Sequence, residues 1–244
     1  MNQLAKRLPR ECGWESTPDG HLFRPVFRPG PRTPTRRTPR FTRTRRWFTA
    51  PTTASGTGGT ARLPLRPSSP RTEEIEAGTS ELCLAIATWP DGAAFDYWAF
   101  EGLRSPSALH VTSTRCDDPL ALSLCARSPC ALSLHGCRAE QTGTDRDAQS
   151  VLVGGRDGTT RHHLIRELRR AGFDATDASS HGVLSGMSPA NICNRTRRGR
   201  GSQLEITTPL LDAMFTSNTI EGRKHTRTPV FWAFVAAVRA AFLQ

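Results

Sequence analysis

Apolar residues from position 76 onward recur with two different spacings, and the two alternate along the chain. Gly78-Thr79-Ser80-Glu81-Leu82 leads into Cys83-Leu84-Ala85-Ile86-Ala87, which reads as a helix with Thr79 or Ser80 near its N-cap. Residues 95–100 are aromatic-rich and strand-like, and residues 109–114 are also β-prone. Residues 119–126 fit a helix leading to a strand, Cys130-Ala131-Leu132-Ser133-Leu134, that ends on His135-Gly136. Ser150-Val151-Leu152-Val153 followed by Gly154-Gly155 reads as a strand and a turn. Leu164, Ile165, Leu168 and Ala171 fall at helical spacing within residues 163–171, and Gly172 stops that helix. A polar, arginine-rich loop over residues 191–201 precedes a short strand at 202–206. Residues 231–243 form an amphipathic helix with Pro229 near its first turn. Strands alternating with helices predict an α/β sheet with helices on both faces.

Residues 1–66 carry neither spacing. They are dominated by Arg, Pro, Thr and Gly, and such a segment buries too little apolar area to offset its ordering entropy. The expected organisation is a disordered segment over 1–66 and one folded domain over 67–244.

Charge changes the picture only for that first segment. The chain has a net charge of +11, which ordinarily points to a polyanion partner. Residues 1–72, however, hold 15 Lys+Arg against 3 Asp+Glu, leaving 18 basic and 19 acidic residues in the rest. A basic arm over residues 24–46, with Phe41, Trp47 and Phe48 available to stack on bases, is therefore the alternative, nucleic-acid-binding reading. The folded part gives no reason to expect a nucleic-acid partner. No apolar run approaches the length of a membrane span, so no membrane partner is expected. Lys6, Arg7, Pro9 and Arg10 break the N-terminus before a signal peptide could form. Seven cysteines in unpaired spacing read as small core residues or free thiols.

Three residues stand out chemically. His135 sits at the carboxyl end of an apolar strand, ahead of a glycine, where α/β sheets collect their chemistry. Glu205 lies between the apolar Leu204 and Ile206, pointing either into a cleft or to solvent. Glu76 precedes a helix, where a carboxylate also complements the helix dipole. One glutamate and one histidine on neighbouring strand ends suit a metal, but spacing alone does not establish it.

The blocks I-E-A-G-T-S-E-L, L-H-V-T-S-T-x-x-D-D-P, L-S-L-H-G, L-V-G-G, N-I-C-N-R and Q-L-E-I, in this order over residues 75–206, resemble the poly-γ-glutamate hydrolase family. The closing H-T-R-T-P-x-F-W-A-F resembles the family's terminal helix. The resemblance implies a mixed sheet of the zinc carboxypeptidase kind and zinc-dependent hydrolysis of γ-glutamyl peptide bonds in a polyglutamate substrate. It puts Glu76 and His135 on metal ligands and Glu205 on the general base. Asn194 and Arg195 fall on a pair that holds a substrate carboxylate and the developing oxyanion. Arg197, Arg198 and Arg200 either track the polymer or form a solvated basic loop. Asn194-Arg195-Thr196 is also a formal glycosylation sequon, discounted in a chain of bacterial character.

One element departs from the family. Its first metal ligand is a histidine in a motif like P-H-G-G-G-I-E, where this chain reads Pro70-Arg71-Thr72-Glu73-Glu74-Ile75-Glu76. A protonated guanidinium cannot coordinate zinc, so weak zinc binding and little or no activity are expected. Read one base out of register, the codons for residues 68–74 permit an apolar strand ending in Pro-His-Gly-Gly. A single-base slip near Glu74 would then make residues 1–74 an off-frame product. A non-catalytic polyglutamate-binding protein is the third expectation. Export is expected if the true N-terminus carries a signal, and a cytoplasmic location otherwise.

Overall fold

The computed structural model describes residues 47–49, 76–89, 95–99 and 112–243. The segment expected to be disordered over 1–66 lies outside these except at residues 47–49, which form a strand, and Arg71 and residues 109–111 of the expected β-prone stretch also lie outside.

Six strands form one mixed sheet: β1 (Trp47–Thr49), β2 (Asp96–Trp98), β3 (Ala131–Cys137), β4 (Ser150–Gly154), β5 (Asp174–Asp177) and β6 (Ser202–Thr207), in the order β2-β1-β3-β6-β4-β5. The parallel pairs are β3 with β6 and β4 with β5; β4 runs antiparallel to β6, and β1 antiparallel to β2 and β3. Five helices are described: α1 (Thr79–Thr88), α2 (Pro119–Arg127), α3 (Gly158–Arg170), α4 (Thr208–Ala213) and α5 (Pro229–Phe242).

The two faces of the sheet differ because side chains alternate along a strand. Leu132, Leu134, Val151, Val153, Leu204 and Ile206 point to one face. There they join Leu82 and Ile86 of α1, Leu164 and Leu168 of α3, and Phe231, Phe234 and Val238 of α5 in the main core. Each such side chain contributes about 1.5–3 kcal/mol on burial, so this face carries most of the stability. The other face of β3 and β6 presents Ser133, His135 and Cys137 beside Gln203, Glu205 and Thr207. It is covered at one end by α2 through a small cluster of Ala121, Cys125, Ala131, Ile192 and Cys193. Helices thus lie on both faces, and the polar face is left for chemistry.

Several boundaries move. Strand β3 runs through His135 to Cys137, because its parallel ladder with β6 continues to Cys137↔Thr207. Helix α1 has Gly78, not Thr79 or Ser80, as its N-cap, in the left-handed region at φ 92°. A Cβ there would meet the Phe215 ring at 2.8 Å, so the site admits only glycine. Helix α3 begins five residues earlier than expected, capped by Asp157, whose side chain accepts from Thr160 N. Residues 113–115 form a 3₁₀ turn instead of a strand. Cysteines 83, 116, 125, 137 and 193 are buried free thiols, as the core reading expects. Among the described residues no helix is long and apolar enough to cross a membrane.

Candidate metal centre

His135 and Glu205 are cross-strand neighbours on the polar face, brought together by the β3–β6 register. Glu76 reaches the same place from the turn before α1. Glu76 packs beside Gly136, where an added Cβ would stand 3.4 Å from Glu76 Cβ and crowd Leu211 Cδ1 at 3.1 Å. His135 Nδ1 lies 3.4 Å from Glu76 Oε1, with both side chains about one-fifth exposed. The second ring nitrogen, Nε2, lies 3.3 Å from the Ser113 hydroxyl. A hydroxyl can donate or accept, so Ser113 holds the ring in place in either tautomer.

The donor pair fits zinc. Two ligands about 2.0–2.2 Å from one zinc ion at the tetrahedral angle stand about 3.3–3.6 Å apart, and the observed 3.4 Å falls in that interval. A carboxylate oxygen and an imidazole nitrogen are also donors zinc accepts. Among the described residues no group of three His, Cys, Asp or Glu gathers here. As candidate ligands, Glu76 and His135 would make two of the three protein ligands a catalytic zinc normally has.

Glu205 is buried, at 8% exposure. Burial pushes its carboxyl up to about 7, the neighbouring His135 pulls it down, and Glu76 adds to the rise. Gln203 Nε2 donates to Glu205 Oε1 over 3.0 Å and to Leu184 O over 3.0 Å. Asn191 Nδ2 in turn donates to Gln203 Oε1 over 2.8 Å, which fixes the amide's orientation. The carboxylate thus has one oxygen tied to Gln203. Nearby Cys137 is pushed up to about 12, first by burial and then by Glu205 and Glu76, and stays a neutral thiol.

Asn194 and Arg195 divide their roles. Asn194 is 2% exposed. Its Oδ1 accepts from Arg156 N and Gly201 N, both at 3.1 Å, and its Nδ2 donates to Gly186 O and Ser188 O at 2.7 and 2.8 Å. That amide joins three loops and has no hydrogen left for a ligand. Arg195, the next residue, is exposed. Arg198 Nη1 and Arg200 Nε stand 4.0 and 3.7 Å from the buried Asp157 carboxylate, so both partly neutralise it. Arg197 is exposed, and its backbone N donates to Ser128 O.

A cavity of about 380 Å³ opens beside Glu76, lined by Gly136, Arg138, Gln141, Asp212 and Asn218 among others. Sequence reasoning missed Gln203, Asn191, Ser113 and this cavity. Gln203 had a signal, lying two residues before Glu205 on one strand and therefore on one face. Ser113 had none, because its contact with His135 spans 22 residues.

A sequence model of the family described as poly-gamma-glutamate hydrolase matches residues 65–237. The SPbeta prophage-derived protein YoqZ of Bacillus subtilis (strain 168) is 36% identical over 166 residues, covering 67% of this chain and 56% of YoqZ. YmaC of the same strain is 34% identical over 173 residues, covering 70% of this chain and 68% of YmaC. The chain thus spans little more than half the length of the first of these relatives. Among solved structures, a bacteriophage poly-gamma-glutamate hydrolase superposes with a TM-score of 0.60 at 28% identity, covering 69% of this chain and 77% of that one. A zinc-free form of YndL gives 0.61 at 29% identity, covering 69% and 79%.

Proposed function

From the premise that this chain belongs to the poly-γ-glutamate hydrolase family, we propose that its site is built for zinc-dependent hydrolysis of γ-glutamyl peptide bonds in poly-γ-glutamate. The observation that carries the reading is the meeting of Glu76, His135 and Glu205 on the polar face of β3 and β6. That a YndL structure is of a zinc-free form supports the choice of metal.

Glu76 Oε1 and His135 Nδ1 would hold the ion. Zinc, when bound, supplies a Lewis acid that polarises a carbonyl and lowers the pKa of water. Glu205 is the general base. With Oε1 tied to Gln203, Oε2 takes the proton of the attacking water and passes it to the leaving amine nitrogen. A carboxyl near 7 is matched to both transfers at neutral pH. Arg195 offers a planar fork to a substrate α-carboxylate. Asn194 serves that fork by fixing the loop that carries it. Burial of Glu205 under Gln203 keeps bulk water away from the base.

In the sequence Arg71 replaces the histidine of the family's motif, so turnover is expected to be slow. That substitution also favours a second reading, a protein that binds polyglutamate without cutting it. The two separate on polymer length. Poly-γ-glutamate is incubated with the zinc-supplied chain, with a chelator, and with Glu205→Gln, and followed by size-exclusion chromatography. Slow shortening that both controls abolish supports the hydrolase. Co-sedimentation with no shortening supports the binding protein.

A further inference from the structure

We propose that the cavity beside Glu76 is a carboxylate subsite, in which Arg138 and Gln141 hold an α-carboxylate of a γ-linked glutamyl chain next to the reacting bond. The proposal rests on the hydrolase reading above and names a part of the site that reading leaves unassigned.

The position follows from the strand. Cys137 ends β3, and Arg138 and Gln141 lie at the 3₁₀ turn that follows, Ala139–Thr142. Arg138 is three residues beyond His135, about 10 Å along an extended chain. Arg195 lies at the other end of the same two strands. It is two residues from Cys193, whose carbonyl packs on Gly201 at the entrance to β6, beside Ala131 at the start of β3. A polymer laid along β3 and β6 would meet Arg195, then the Glu205–His135 pair, then Arg138.

Among the described residues, the lining sets one cation, Arg138, beside two carboxylates, Glu76 and Asp212. Gln141, which lines the cavity, accepts at Oε1 from Arg138 N over 2.9 Å, so the oxygen is committed and Nε2 is the amide's donor group. An arginine fork and an amide donor together match the lone pairs of one carboxylate. Of the two acids in the lining, Glu76 is the candidate metal ligand. Asp212 Oδ1 already accepts from Asn218 Nδ2.

The turn is also fastened to the catalytic side. His181 Nε2 lies 3.1 Å from Gln141 O, and its Nδ1 accepts from Val183 N and Leu184 N at 3.3 and 3.0 Å. With Nδ1 accepting, Nε2 carries the proton and donates to Gln141 O. Leu184 O accepts from Gln203 Nε2, the same amide that holds Glu205. One loop therefore sets the distance between the base and the proposed subsite.

The experiment uses the full zinc-free chain and tri-γ-glutamate as the probe, titrated by calorimetry, with ¹⁵N spectra recording the Gln141 side-chain NH₂. The wild-type chain is expected to bind the trimer with a shift of that NH₂ signal. Arg138→Ala should weaken binding by at least ~10-fold, as loss of a hydrogen-bonded charge does. Arg138→Lys should lose less, and Arg170→Ala, at the exposed end of α3, should change nothing. If Arg138→Ala fails to fold, the Gln141 signal in the wild-type chain decides. Weakening by Arg195→Ala with neither an Arg138 effect nor a Gln141 shift overturns the subsite and leaves the hydrolase reading standing. No binding of the trimer by the wild-type chain at millimolar concentration removes both.

Discussion

Gln203 and Glu205 lie two residues apart on one face of β6, and the amide of the first donates to the carboxylate of the second over 3.0 Å. Because Asn191 and Leu184 hold the same amide, the base inherits its position from two other segments. Gln203→Leu should cost about 1–3 kcal/mol, since it leaves buried partners unsatisfied. Urea denaturation measures this loss. The same variant should shift the acid limb of any pH–rate profile upward, because the carboxylate loses a hydrogen bond that favours its charged form. A destabilised protein with an unmoved profile would assign Gln203 a structural role alone.

Stability should depend on pH through Glu205. Its pKa of about 7 in the folded chain stands above the ordinary 4.5. Between those values the folded protein keeps a proton the unfolded chain has released, so stability falls as pH rises through the window and levels off above it. Glu205→Gln keeps the shape and removes the titration. In metal-free protein it should therefore stabilise relative to wild type at pH 8, by at most about 3 kcal/mol, and much less at pH 5. Thermal melts at the two values check the sign.

Asn194 is a clamp by geometry, with four backbone partners on three loops. Asn194→Leu is expected to destabilise by about 2–4 kcal/mol, the range for breaking a buried network. Its effect on glutamate binding should track loop order, visible as faster amide exchange over residues 186–200. Unchanged stability would mean that the loops hold without it.

The sequence exposed what rests on short-range pattern. The alternation in β3 and β6 placed His135 and Glu205 on strands, and period 2 along both made them face one way. It hid what depends on contacts from far away. Strand β5 was overlooked because only Ala175 of its four residues is buried, so no alternation is visible. Helix α4 is too short to show a helical period. Gly78 took the N-cap from Thr79 because Phe215, 137 positions later, leaves no room for a side chain. Asn194 looked like a substrate contact beside Arg195, and only the folded loops reveal four partners for its amide. The resemblance named the chemistry, while the supporting network of Gln203, Asn191 and Ser113 emerged with the fold.

Arg71 is open to two tests. Independent genomic reads across the codons for Ala50 to Gly78 are expected to reveal a missing or extra base near Glu74 and a histidine before Gly-Gly. The sheet gives this a structural rationale: β3 pairs with β1 only at Ala131 and Leu132, so its edge from Ser133 to Cys137 has no strand partner among the described residues. A strand laid there would end beside His135. If the frame stands, Arg71→His together with Thr72→Gly, Glu73→Gly and Glu74→Gly should tighten zinc binding at least ~10-fold, as a third ligand should.

The claim that Glu76 and His135 form the metal site is tested most directly by zinc titration of the chain against a chromophoric chelator. One weakly bound zinc per chain is expected, with binding lost in both Glu76→Gln and His135→Ala and retained in Glu205→Gln. Binding that survives both ligand substitutions, or no binding in any form of the chain, would contradict the account.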